Sequence, residues 1–160
     1  MLRISKLTDY GTLVMAYLAS SVLANHAAKD IAHQTHLALP TVSKLLKLLA
    51  KGGLLQAHRG VKGGYSLARP ASDITLAQII GVLEGDIGLT ECSHHTSSCS
   101  MQTHCGVRGN WRTISEIIRE ALNGITLIEM TKPLLNSKLQ TGLNNLLNST
   151  VMVNPVDSIS

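Results

Sequence analysis

The chain of 160 residues has no phenylalanine, and its tyrosines and single tryptophan bring aromatics to only 2%. A core must therefore be built from Leu, Ile, Val, Ala and Met, for which an apolar content of 44% is ample. No apolar run approaches the roughly eighteen residues a membrane span needs, so no membrane partner is expected. The opening MLRISKLTDYG has no apolar stretch of the secretory-signal kind, which points to the cytoplasm. Cysteine is scarce, at three residues. An odd number of thiols in a reducing compartment argues against a disulfide framework and for metal or redox chemistry. No glycine-rich nucleotide loop follows a strand, and no Cys–His–Asn or Cys–His–Asp set can be assigned. Neither an enzyme nor a small-molecule substrate is expected.

Charge is sparse at 15% and unevenly placed. Residues 1–69 carry nine Lys or Arg against two acids, Asp9 and Asp30, a net of 9 − 2 = +7; residues 70–160 carry five against eight, 5 − 8 = −3. The first part is the one able to face a polyanion. A basic surface with no ligand gives the same count, so the placement of the cations decides.

Apolar spacing predicts a helix over 8–23, started by Thr8, with Leu13, Met15, Ala16, Leu18, Ala19, Val22 and Leu23 on a broad apolar face. A short second helix over 28–35 turns Ile31 and Ala32 inward, and Pro40 suits the first turn of a third helix over 40–51. In that helix Val42, Leu45, Leu46 and Leu49 share one side, and Thr41, Ser43, Lys44, Lys47 and Lys51 the rest. Strands over 54–57 and 65–68 flank a glycine-rich tip, His58-Arg59-Gly60-Val61-Lys62-Gly63-Gly64. A basic amphipathic helix alone is as often an ordinary solvated one. The order helix, turn, helix, hairpin is far more specific and describes a winged helix. Glycines let such a tip approach a phosphate or a groove, and an arginine there suits a narrow minor groove.

Thr75 can cap a helix to about residue 84, with Leu76, Ile79, Ile80 and Leu83 inward. From residue 110 a long helix carries a stripe of Trp111, Ile114, Ile117, Ile118, Ala121, Leu122 and Ile125. Little chain remains to cover that stripe, so a homodimer through the 110–125 helix is expected. A short helix over 125–130 follows. Leu134, Leu135, Leu139, Leu143, Leu146 and Leu147 suggest a weak amphipathic helix, and the last dozen residues a loosely attached end. The expected fold is mainly α: a winged helix-turn-helix DNA-binding domain (1–74) with a small β-hairpin wing, then a sensor loop (88–108) and dimerisation helix within 75–131, then an extension over 132–160.

All three cysteines, Cys92, Cys99 and Cys105, fall within fourteen residues in the spacing C-x6-C-x5-C, together with His94, His95 and His104. Thiols and imidazoles on a polar loop suit a soft metal centre. A structural zinc site can use three Cys and one His, but these spacings are long for one. A metal-free thiol switch would use the same residues.

The assembled residues resemble the winged-helix, iron–sulfur-sensing bacterial repressors that include IscR and NsrR, over roughly residues 1–131. The resemblance rests on Leu7-Thr8-Asp9-Tyr10, on Leu39-Pro40-Thr41-Val42-Ser43, on the wing from Arg59 through Gly60-Val61-Lys62-Gly63-Gly64-Tyr65-Ser66-Leu67-Ala68 to Arg69-Pro70, and on the cysteine loop. Leu89-Thr90-Glu91-Cys92, with Cys99, Cys105 and Trp111 following, looks most like the branch that regulates the SUF iron–sulfur assembly operon. The resemblance implies a homodimeric repressor on double-stranded operator DNA. Each loop would hold an iron–sulfur cluster through Cys92, Cys99 and Cys105, of the 2Fe–2S type or alternatively 4Fe–4S. By matching position Thr41, Ser43 and Lys44 would enter the major groove and Arg59 the minor groove. Lys47 and Lys62 would touch phosphates, and Pro40, Gly63, Gly64 and Tyr65 would complete the interface.

Two departures limit what carries over. Arg108 stands where IscR has its fourth ligand, a histidine, and Ser43 where IscR reads bases with a glutamate. The NsrR branch draws a carboxylate from the first helix of the other subunit, a position that Asp9 matches. Candidates for the fourth ligand are thus Asp9, one of His94, His95 and His104, or a small exogenous molecule. Alternative readings are a nitric-oxide- or redox-responsive repressor of the same family and a winged-helix regulator with structural zinc.

Overall fold

The structure is a computed structural model, and it describes residues 4–22, 25–60, 63–90 and 106–132. Six helices and a hairpin follow one another: α1 (Lys6–Ser20), α2 (Ala28–Thr35), α3 (Leu39–Lys51), β1 (Leu55–His58), β2 (Gly64–Leu67), a 3-10 turn at Ala71–Asp73, α4 (Leu76–Glu84), α5 (Arg108–Asn123) and α6 (Leu127–Met130).

α1 begins and ends earlier than apolar spacing suggests. Its N-cap is Ser5, whose hydroxyl accepts the Thr8 N–H. Thr8 is one turn inside and buried. The inward face is Gly11, Val14, Met15 and Leu18, an i, i+3, i+4, i+7 set. Leu13, expected inside, is 45% exposed, and Val22 lies beyond the helix in full solvent. α2 has the expected limits, and Ile31 and Ala32 are buried. His36 closes it in the left-handed region at φ 55°, with its N–H on the His33 carbonyl. That tight turn delivers the chain to α3, which has Pro40 in its first turn and Val42, Leu45, Leu46 and Leu49 fully buried. Each aliphatic side chain so buried contributes about 1.5–3 kcal/mol.

The hairpin pairs Leu55 with Leu67 and His58 with Gly64 in antiparallel register. Its return strand is also pinned to the α1–α2 connection. His26 N–H donates to the Tyr65 carbonyl at 3.0 Å, and Tyr65 N–H donates to that of His26 at 2.8 Å. A Cβ on Gly64 would sit 2.4 Å from the His26 carbonyl oxygen. Glycine is thus required here by the wing's own seating. Gly64→Ala is expected to cost about 1–3 kcal/mol of stability, seen as a lower urea midpoint. An unchanged midpoint would mean that the wing slides off residue 26 freely.

Thr75 caps α4 and forms a capping box with Gln78, whose side chain also accepts from Arg69. The start of α4 is stitched to the α5–α6 connection: Leu76 N–H reaches the Ile125 carbonyl, and Leu127 N–H reaches that of Ile74. Leu127 is fully buried in one cluster with Val14, Met15, Leu45, Leu49, Ile79 and Leu83. One set of packed side chains therefore joins α1, α3, α4 and α6. Candidate residues 91–105 and the leucines from 134 onward lie outside the described residues.

Candidate nucleic-acid interface and cysteine segment

The apolar back of α3 fixes which of its residues face outward. Pro40, Lys44, Lys47 and Lys51 are exposed, and Thr41 and Ser43 half-buried. This is a polar, cationic front on a helix that cannot rotate without exposing four aliphatic side chains. α3 is tied to the wing by the Leu54 N–H on the Leu49 carbonyl. Arg59 is exposed at the end of β1. Gly60 has φ 116° and its carbonyl accepts the Gly63 N–H, so the tip turns tightly. A Cβ on Gly63 would meet the His58 carbonyl oxygen at 2.6 Å. Tyr65 is half-buried against the core, and Lys62 lies outside the described residues. The exposed cations Lys44, Lys47 and Lys51 of α3 and Arg59 after β1 thus lie on elements joined by the Leu54–Leu49 bond.

The cysteine segment is anchored at both of its roots. Leu89 N–H donates to the Ser115 hydroxyl at 3.2 Å, and that hydroxyl donates to the Trp111 carbonyl at 2.9 Å. Ser115 is the single buried residue of α5. Gly106 and Val107 lead directly into α5 at Arg108. Ser115 lies seven positions after Arg108, about 10 Å of helix. Cys92, Cys99 and Cys105 fall in sequence between Leu89, which is held by Ser115 of α5, and the start of α5 itself, and lie outside the described residues. Thiols so close in sequence can gather on one centre. His94, His95 and His104 belong to the same stretch outside the described residues. Asp9 is exposed on the first turn of α1. Among the described residues no three His, Cys, Asp or Glu side chains converge as a metal site.

Two residues missed from sequence shape this region. Ser115 is a small polar side chain inside an otherwise apolar stripe, which was a readable signal. Glu84, the last residue of α4, has no such local mark. Its Oε1 accepts from Ser5 N–H at 3.3 Å and Ser5 Oγ at 2.6 Å, and also from the Thr8 hydroxyl. These bonds, Ser5 first and then Thr8, hold the carboxyl below its ordinary value of 4.5. The sign follows: the stabilisation is present above that value and is lost as pH falls through the lowered one.

A helix-turn-helix followed by a seated wing, with a basic outer edge, defines a winged-helix DNA-binding regulator. The chain belongs to the Rrf2 family, whose model, described as an iron-dependent transcriptional regulator, matches residues 4–133. The HTH-type transcriptional regulator IscR of Vibrio atlanticus is 31% identical over 131 residues, 79% of this chain and 75% of that protein. The structure of T. potens IscR is similar at TM-score 0.64 and 31% identity, covering 85% of this chain and 90% of that one. CymR, the global cysteine regulator of B. subtilis, is similar at TM-score 0.64 and 30% identity, covering 82% and 97%. These relatives are transcriptional regulators rather than enzymes, and so is this chain. No helix among the described residues is long and apolar enough to cross a membrane.

Proposed function

We propose that this regulator is a homodimeric repressor whose DNA binding reports on an iron–sulfur cluster held by Cys92, Cys99 and Cys105, and that its targets are iron–sulfur assembly genes of the SUF type. The carrying observation is that all three thiols fall within fourteen residues of sequence, between Leu89, held by Ser115 of α5, and α5 itself, in a chain of an iron-dependent regulator family. Thiolates are soft, anionic donors suited to such a cluster, 2Fe–2S in this reading. When bound, the cluster supplies iron open to attack by oxygen, peroxide or nitric oxide. Asp9 of the partner subunit is the proposed fourth ligand. It is exposed on α1 and therefore available to a neighbouring chain, whereas Arg108 cannot ligate.

On the DNA side, Thr41, Ser43 and Lys44 read the major groove, Lys47 and Lys62 hold phosphates, and Arg59 enters the minor groove. Pro40, Gly63, Gly64 and Tyr65 set the backbone around them. The test uses a duplex selected by the wild-type protein from a random library. Arg59→Ala should cost about 1–3 kcal/mol and flatten preference for A·T steps, while Lys47→Ala weakens all sequences alike and lowers the salt slope by about one. Unchanged affinity in Arg59→Ala would remove the wing from the interface. A metal-free thiol switch that uses the same three cysteines is the second reading. It predicts protein without iron or sulfide and a redox-dependent count of free thiols.

A further inference from the structure

We propose that Glu84 is a positioning residue through which the state of the cysteine segment reaches the DNA-binding unit of its own chain; this rests on the sensing reading above. Glu84 ends α4, and the next residue, Gly85, turns the chain at φ 93° into 86–90 and so into the segment itself. The carboxylate clasps the start of α1 with three donors, two from Ser5 and one from Thr8. Ser5 is the N-cap of that helix, so the negative charge lies where the helix dipole favours it. Thr8 is 1% exposed, and its hydroxyl hydrogen goes to this carboxylate.

Five residues later the same stretch is held by a second clasp, Leu89 N–H on Ser115 of α5. Residues 84–89 are therefore fastened at one end to α1 and at the other to α5. α1 packs through Val14, Met15 and Leu18 into the cluster that includes the back of α3. A displacement at the start of α1 passes into that packing as movement of a rigid rod. Beneath the stretch lies an open groove of about 520 Å³, lined by Ile4, Ile80, Ile87, Leu89, Ile118 and Leu122. Residues 84–89 themselves form one wall of that groove.

The experiment compares cluster-loaded and apo full-length protein on the selected duplex at fixed salt. Glu84→Ala should bring the loaded-to-apo affinity ratio about fivefold closer to one, with apo affinity held within about twofold. Glu84→Gln keeps an acceptor for Ser5 and Thr8 and should retain most of the ratio. In the apo protein, Glu84→Ala should speed amide exchange at 5–9 and also at 85–90. A lower melting temperature with an undiminished ratio would reduce Glu84 to a helix cap and overturn the proposal. A wild-type ratio of one would overturn the sensing reading itself, and this proposal with it. If Glu84→Ala does not fold, Ser5→Ala removes one donor and leaves the carboxylate in place. The ratio is then expected to fall about twofold, and no fall sinks the idea.

Discussion

Cys99→Ser should leave anaerobically purified protein colourless, with iron and acid-labile sulfide at background. A serine hydroxyl stays protonated near neutral pH and is a poor donor to iron, whereas a thiolate is a soft anionic one. Cys99 is also the middle one of the three proposed ligands, and its loss leaves Cys92 and Cys105 thirteen positions apart. The fold should survive. The described members of the buried cluster, from Val14 to Leu127, pack against one another across α1, α3, α4 and α6, so far-ultraviolet dichroism and the urea midpoint should match wild-type apo protein. DNA affinity should equal that of the wild-type apo form, whatever additive or oxidant is present. Full iron and sulfide in the variant would strike Cys99 from the ligand set. Wild-type protein that is itself colourless and holds stoichiometric zinc would select the structural-zinc reading.

The DNA-binding half was legible because its determinants are local. α2, α3 and α4 each combine a helical stripe with a stop or start within a few residues: His36, Pro40 and Gly52, and Thr75 with Gln78. Apolar spacing misphases α1, whose start is set by the Ser5 cap on the Thr8 N–H and is reinforced by a partner far along the chain. Ser5 and Glu84 are 79 residues apart, and no window of sequence joins them. A cap at Thr8 puts Leu13 and Val22 on the inner face and leaves off Val14, which is fully buried. The wing's glycines were visible, but not the reason for Gly64. Its Cβ is excluded by the His26 carbonyl, a contact between segments that sequence does not pair. The cysteine cluster was legible as chemistry, since thiol spacing needs no fold. Its anchoring by Ser115 was not, because a serine in an apolar stripe gains meaning only when Leu89 is brought to it.

Ile114→Glu should convert the protein to a monomer in solution and lower its affinity for a duplex with two half-sites by about 100-fold, the gain that joining two binding units supplies. The stripe on α5 is the basis. Trp111 is 38% exposed and Ile114 39%, Ile117, Ile118, Ala121 and Leu122 are half-buried, and Ser115 alone is buried. The described chain leaves this helix half-covered, and one of its own kind is the simplest cover. In a two-fold interface the substitution enters twice and faces itself, so each dimer would bury two like charges near the axis. In the isolated chain residue 114 meets solvent, so folding should be little affected and the effect reads assembly. Affinity for a single half-site should stay within error of wild type, because α3 and the wing are untouched. Thr113→Glu, on the same helix but off the stripe, is the control and should remain dimeric. A dimeric Ile114→Glu protein with full affinity would place the interface elsewhere, and the spacing of the two α3 helices, which must suit half-sites about 34 Å apart, would then have to be set by another surface.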